Sequence, residues 1–252
     1  MTAVGPASPR LHRSKDPAAL YRGATAAFLE VARSAIRARG RFCVALAGGE
    51  TPRPLYQRLA AAEPDAVDWA KVEICFGDER CVPPEHARSN YGMVRAALLP
   101  ELPPARIHRV RGEEQPQRAA RLYASELAVL FAHQRPPRFD LILLGLGGDG
   151  HTASLFPGTA ALRERRRAVV AQYVEVQREW RVTLTLPVID AARAVWVLAV
   201  GAGKAAIVRR VLAGARQPEV LPMQAVAPEV GVDWWLDAAA AADLPAGFSP
   251  DS

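Results

Sequence analysis

Short apolar runs alternate with amphipathic stretches along most of this chain. "RFCVALA" (41–47), "KVEICF" (71–76), "FDLILLGL" (139–146), "RVTLTLP" (181–187), "AVWVLAV" (194–200) and "VDWWLD" (232–237) are short and dense in Val, Ile, Leu, Phe and Trp, which predicts strands. Between them the apolar positions recur at helical spacing, as in "PRPLYQRLAAA" (52–62), "NYGMVRAALL" (90–99), "EQPQRAARLYASELAVLFAH" (114–133) and "GKAAIVRRVL" (203–212). The first such stretch has both of its ends marked. Asp16 caps it, Pro17 occupies its first position, and Gly40 follows its last periodic residue. Strands that are apolar along their whole length, separated by helices, predict a three-layer α/β/α fold. Its sheet is mainly parallel and Rossmann-like, with helices on both faces. No repeat or long linker interrupts the pattern, so residues 16–252 are read as a single α/β domain behind a flexible N-terminal lead over 1–15.

In such a sheet a ligand sits beyond the carboxyl ends of the strands, so the loops after residues 47, 76, 145 and 200 are where chemistry is sought. "AGGETPRPLY" (47–56) sets Gly48, Gly49 and Thr51 in a strand-to-helix turn whose amides can face an anion. "FGDERCVPPEHARSNYGM" (76–93) puts Asp78, Glu79 and Arg80 directly after a strand, where charge is costly unless paired or used, and ends in a Ser89-Asn90 cap. An Asp–Arg salt bridge would also account for that cluster. "LGLGGDGHTASLFPG" (144–158) matches the dinucleotide pattern G-x-G-x-x-G through Gly145, Gly147 and Gly150. Pro157-Gly158 nevertheless follow too closely for that motif's long helix, and Asp149 and His151 fill places where the backbone should approach a pyrophosphate. The same residues suit an aspartate that fixes the tautomer of a histidine acting as general base. "VGAGKAAIVRRVL" (200–212) holds Lys204 at a helix start, fit for a phosphate clamp. Ala205 stands where a Walker loop needs Ser or Thr, so no magnesium ligand is implied.

Composition narrows the classes. The net charge of +6 rests on 32 Lys and Arg, of which only Lys15, Lys71 and Lys204 are lysines. The arginines are scattered apart from "RERRR" (163–167), read as a solvated surface cluster, and no nucleic-acid-binding motif is present. No apolar stretch approaches the ~20 residues of a membrane span, and the N-terminus lacks a signal-peptide core. Cys43, Cys75 and Cys81 are too few and too irregular for a disulfide framework or a thiolate zinc site, which points to the cytoplasm. Without H-E-x-x-H, C-x-x-C or G-x-S-x-G, a metal, redox or serine-hydrolase site has no support.

"GDERCVP" followed by "SNYGM", then "GLGGDGHTASLFPG", then "GAGK", in that order, resembles the 6-phosphogluconolactonase family over roughly residues 16–240. The wider group includes glucosamine-6-phosphate deaminases and sugar-binding domains of bacterial regulators. The resemblance implies a hydrolase of 6-phospho-D-glucono-1,5-lactone in the oxidative pentose phosphate pathway. It works without cofactor or metal, on a small phosphorylated sugar lactone, as a monomer or small homo-oligomer with no nucleic-acid or membrane partner. It assigns His151 as the base that activates water and Asp149 as the group that orients it. Asp78 and Arg80 match the family's acidic and basic residues in the second loop, and Arg80 is also a candidate for the developing oxyanion. Arg80 and Lys204 hold the anion together with the Gly48-Gly49-Thr51 turn, and Arg181 lies near the substrate. One departure stands out: Glu50 replaces a small residue of the phosphate turn, so its carboxylate is expected to point away. A deaminase would need a glutamate where Phe156 stands. The same loops would also serve a non-catalytic sugar-phosphate sensor or, through the glycine pattern, a dinucleotide-dependent dehydrogenase.

Overall fold

In a computed structural model, residues 8–63, 65–99 and 106–248 are described. Seven strands form one sheet: β1 (Arg10–Ser14), β2 (Phe42–Leu46), β3 (Val72–Phe76), β5 (Arg106–Ile107), β6 (Leu141–Leu144), β9 (Val195–Ala199) and β10 (Asp233–Asp237). Their order is β1-β10-β9-β6-β2-β3-β5, every neighbouring pair parallel. A second, antiparallel sheet of three strands, β4 (Asp78–Arg80), β8 (Glu179–Leu184) and β7 (Val169–Val174), packs beside it. The helices are α1 (Pro17–Arg39), α2 (Arg53–Ala60), α3 (Asn90–Ala97), α4 (Pro116–Leu130), α5 (Leu186–Asp190) and α6 (Ala205–Ala213).

Because successive strand residues face opposite sides, each central strand feeds two separate cores. Phe42, Val44, Leu46, Ile74, Phe76, Leu141, Leu143, Trp196 and Leu198 pack under α1, α2 and α3. Cys43, Ala45, Cys75, Ile142, Leu144, Val195 and Val197 pack under α4, α5, α6 and the small sheet. The adjacent Trp234 and Trp235 follow the same rule, one ring in each core. This is the three-layer, mainly parallel arrangement that the apolar runs predict. The α1 caps are also as read: the Asp16 carboxylate accepts from the Ala19 amide at 2.7 Å, and the Gly40 amide closes on the Ile36 carbonyl at 2.8 Å.

Two expectations need correction. The lead over 1–15 is not loose throughout, because Arg10–Ser14 forms β1 and pairs with β10; residues 1–7 lie outside the described residues. "RVTLTLP" does not extend the parallel sheet. Its Val-Thr-Leu alternation pairs antiparallel with β7 instead, so β8 belongs to the smaller sheet.

The chain leaves β2 toward β3 and β5 on one side, and runs from β6 toward β9 and β10 on the other. The order therefore reverses between β2 and β6, the place where open α/β sheets leave a crevice at their carboxyl ends.

Away from that crevice, His108 bridges two carboxylates, Nδ1 to Glu126 at 2.8 Å and Nε2 to the buried Glu73 at 3.0 Å. The Glu126 hydrogen bond raises its pKa, burial opposes this, and Glu73 adds to the rise. A raised folded-state pKa makes the stabilisation complete below the ordinary 6.5, with loss as pH climbs through the raised value. The urea midpoint of wild type should therefore exceed that of His108→Gln most in mildly acidic buffer and least in alkaline buffer. A gap that stays flat or widens with pH would contradict this account of the bridge.

Candidate active site

Four loops at the carboxyl ends of β2, β3, β6 and β9 surround a cleft of about 260 Å³. Its walls include Gly48, Gly49, Thr51, Asp78, Arg80, His151, Arg181 and Lys204. Of the site residues that the resemblance assigns, only Asp149 is absent from the wall. It sits directly behind His151 instead.

The loop after β6 is built around that pair. Asp149 Oδ1 lies 2.5 Å from His151 Nδ1 and also accepts the His151 amide at 3.0 Å. The Gly147 amide donates to the His151 carbonyl at 2.8 Å, closing the loop into a tight turn. Gly147 is required by space: a Cβ there would lie 2.1 Å from His151 Nδ1 and 2.7 Å from Asp149 Oδ1. Partial burial pushes the Asp149 carboxyl up. The His151 amide, the imidazole charge and the ring hydrogen bond outweigh it, so the group rests below the usual carboxylate range. Nε2 is the ring nitrogen left without a role in this contact.

The strand register brings the cations together. Arg80 of β4 stands directly opposite Arg181 of β8, and like charges so placed repel. Asp78 offsets part of that repulsion: its Oδ2 lies 3.7 Å from Arg181 Nη1 and accepts from Ser154 Oγ at 2.6 Å. The ion pair read from the sequence thus exists with Arg181 in place of Arg80. Arg181 also bonds the side chains of Gln177 and Glu179. Arg80 donates from Nη1 to the Arg88 carbonyl at 2.7 Å, and its buried Nε has no partner among the described residues. Lys204 reaches across from the loop after β9 and donates to the Leu146 carbonyl at 2.6 Å. Glu50 also lines the cleft; its carboxylate pairs with Arg53 at 2.9 Å and its side chain is 81% exposed.

Three residues that carry this geometry escaped the sequence reading, which saw Asn90 only as part of a helix cap and Glu79 only as one charge of a run. Asn90 Nδ2 donates to the Asp78 carbonyl at 2.8 Å, and its side chain fills the space a Cβ on Gly48 would need, with Oδ1 only 1.8 Å away from that position. Glu79 is buried and accepts from the amides of Arg80, Asn90 and Tyr91, each at 2.7 Å, clamping β4 onto the start of α3. Burial pushes its carboxyl up, and those amides offset only part of the shift. Ser154 joins the His151 loop to Asp78. A carboxylate directly after an apolar strand and a hydroxyl three residues past the histidine were the available signals.

Among the described residues no cluster of three or more His, Cys, Asp or Glu is arranged to hold a metal ion, and no helix is long and apolar enough to cross a membrane. A base-and-carboxylate pair beside three cations suits hydrolysis or proton transfer on an anionic substrate.

Comparison with known proteins adds the family. A model described as glucosamine-6-phosphate isomerases/6-phosphogluconolactonase matches residues 15–235. The 6-phosphogluconolactonase of Synechocystis sp. is 40% identical over 215 residues, 83% of this chain and 88% of that protein. The human 6-phosphogluconolactonase is 40% identical over 222 residues, 85% of each chain. The structure of 6-phosphogluconolactonase from Trypanosoma cruzi superposes with a TM-score of 0.83 at 31% identity, covering 95% of this chain and 98% of that one.

Proposed function

The chain belongs to the glucosamine-6-phosphate isomerase and 6-phosphogluconolactonase family, and we propose that it is the lactonase, hydrolysing 6-phospho-D-glucono-1,5-lactone to 6-phospho-D-gluconate in the oxidative pentose phosphate pathway. The observation that carries this reading is the 2.5 Å Asp149–His151 contact opening onto a cleft walled by Arg80, Arg181 and Lys204. The competing isomerase chemistry wants a carboxylate five residues after the histidine. Phe156 occupies that place, packed flat against the imidazole.

In this mechanism ionised Asp149 holds the proton on Nδ1, which leaves the Nε2 lone pair to accept a proton from water. The hydroxide so formed adds to the lactone carbonyl carbon. The imidazolium then returns its proton to the ring oxygen as the carbon–oxygen bond breaks. A six-membered lactone is a reactive ester, so this scheme uses no covalent intermediate and no metal. The phosphate, held by Lys204, Arg181 and the turn of Gly48, Gly49 and Thr51, anchors the far end of the sugar and keeps the carbonyl in line with the water. Arg80, which lines the cleft together with His151, is the cation this reading assigns to the oxygen that becomes negative. Asp78 is spoken for by Ser154, Asn90 and Arg181, and acts by holding the second loop in shape.

The test is hydrolysis of freshly generated 6-phosphogluconolactone against its spontaneous rate, with unphosphorylated gluconolactone as comparison. Strong acceleration confined to the phosphorylated lactone supports the reading. No acceleration sinks it and turns attention to a sugar-phosphate sensor. Lys204→Met should lower kcat/KM about tenfold or more, mainly by raising KM, because Arg181 and the turn of Gly48, Gly49 and Thr51 still hold the phosphate and keep the carbonyl in line. An unchanged KM would remove Lys204 from the phosphate site.

A further inference from the structure

Asp149 restrains the imidazole of His151 at a single nitrogen. One in-plane hydrogen bond leaves the ring free to swing about its own side-chain torsion, which is broad for sp³–sp² bonds. A second restraint, perpendicular to the first, is present. The ring of Phe156 lies 4.1 Å from the imidazole centroid with 22° between the planes. Phe156 is buried at 3% exposure and sits at the end of a segment tied down at several points. Thr152 Oγ1 donates to the Gly145 carbonyl at 2.8 Å, Ser154 Oγ to Asp78 at 2.6 Å, and the Ser154 amide to Thr183 Oγ1 at 3.2 Å. The Arg181 guanidinium also lies against this phenyl ring, its central carbon 5.9 Å from the centroid.

We propose that Phe156 is a positioning residue for the base: its buried ring fixes the plane of the His151 imidazole, so that Asp149 at Nδ1 and Phe156 on the face together aim Nε2 into the cleft. This rests on His151 acting as the base. The argument is geometric. A planar partner held rigidly below an imidazole selects one ring plane, whereas a flexible side chain of equal volume fills the space without selecting one. Phe156 touches neither substrate nor water in this account and acts only through His151.

The experiment compares wild type with Phe156→Met, close in volume but without a flat face, and Phe156→Tyr, which keeps the face. Phe156→Leu serves as a second non-aromatic variant, and thermal unfolding confirms that each chain is folded. Met and Leu should lower kcat about tenfold or more with KM nearly unchanged, and Tyr should restore most of the loss. The ring ¹⁵N signals of His151, assigned against His151→Gln, supply a readout independent of turnover. They should report one dominant Nδ1-protonated tautomer in wild type and Tyr, and an averaged or broadened pair in Met and Leu. Unchanged kcat in folded Met and Leu variants, or a lower kcat with the His151 signals unmoved, would overturn the proposal. Wild type that does not hydrolyse the lactone would instead overturn the functional reading. The nitrogen signals would then still decide whether Phe156 orders the imidazole.

Discussion

Replacing His151 with alanine is expected to lower kcat on 6-phosphogluconolactone by about 10²–10⁴-fold, the range a positioned general base supplies. KM should change little, since the cations that meet the phosphate are contributed by other elements. The fold should be untouched: the side chain lines the cleft, and the loop is closed by the backbone contact from Gly147 to the His151 carbonyl, which alanine keeps. Measured rates must be corrected for spontaneous opening of the lactone, which sets the floor. A variant that retains most of the acceleration would move the base elsewhere. Asp78 would be next in order, against the fact that its carboxylate already serves Ser154, Asn90 and Arg181.

Gly147→Ala is expected to approach the same loss without removing any functional group. A methyl at this position falls 2.1 Å from His151 Nδ1, 2.2 Å from Cε1 and 2.7 Å from Asp149 Oδ1, all side-chain atoms. Side-chain ends yield before backbone does, and Gly147 is not among the glycines with positive φ. The added methyl therefore displaces the imidazole and its carboxylate while the loop survives. Thermal unfolding within a few degrees of wild type, together with a fall in kcat of about 10²-fold, is the expected pair of results. The neighbouring Gly148 has open space where its Cβ would go, so Gly148→Ala is the control and should keep full activity. Equal activity in the two variants would mean that the working orientation of His151 differs from the one described.

Much of the architecture was legible because local and global preferences agree. The first helix carries its own start and stop in Asp16-Pro17 and Gly40, and the buried strands carry continuous apolar residues. Four strands, β1, β4, β5 and β7, went unpredicted, and two of them show why. "RLHRS" is too polar to announce β1, which exists because β10 offers it a partner. "DER" is three charged residues, and it becomes β4 only through its pairing with β8. The site divides in the same way. Asp149 and His151 are two residues apart, and their shared loop spells out their contact. Arg181 lies about a hundred residues beyond Arg80, and no local feature joins them; the resemblance alone singled it out. Asn90 and Ser154 offered only a helix cap and a lone hydroxyl, because Gly48 and Asp78, which they meet, come from other loops.

The pairing of β1 with β10 has a consequence for synthesis. Arg10 forms its ion pair with Asp233, 223 positions further along the chain. At ribosomal speeds of about 5–20 residues per second, the first strand leaves the exit tunnel roughly ten seconds or more before its partner exists. During that interval Arg10–Ser14 has no β10 to pair with, and its polar, arginine-bearing sequence discourages pairing with other nascent chains. The weak strand character that hid β1 from a reader of the sequence thus protects the protein while it is being made.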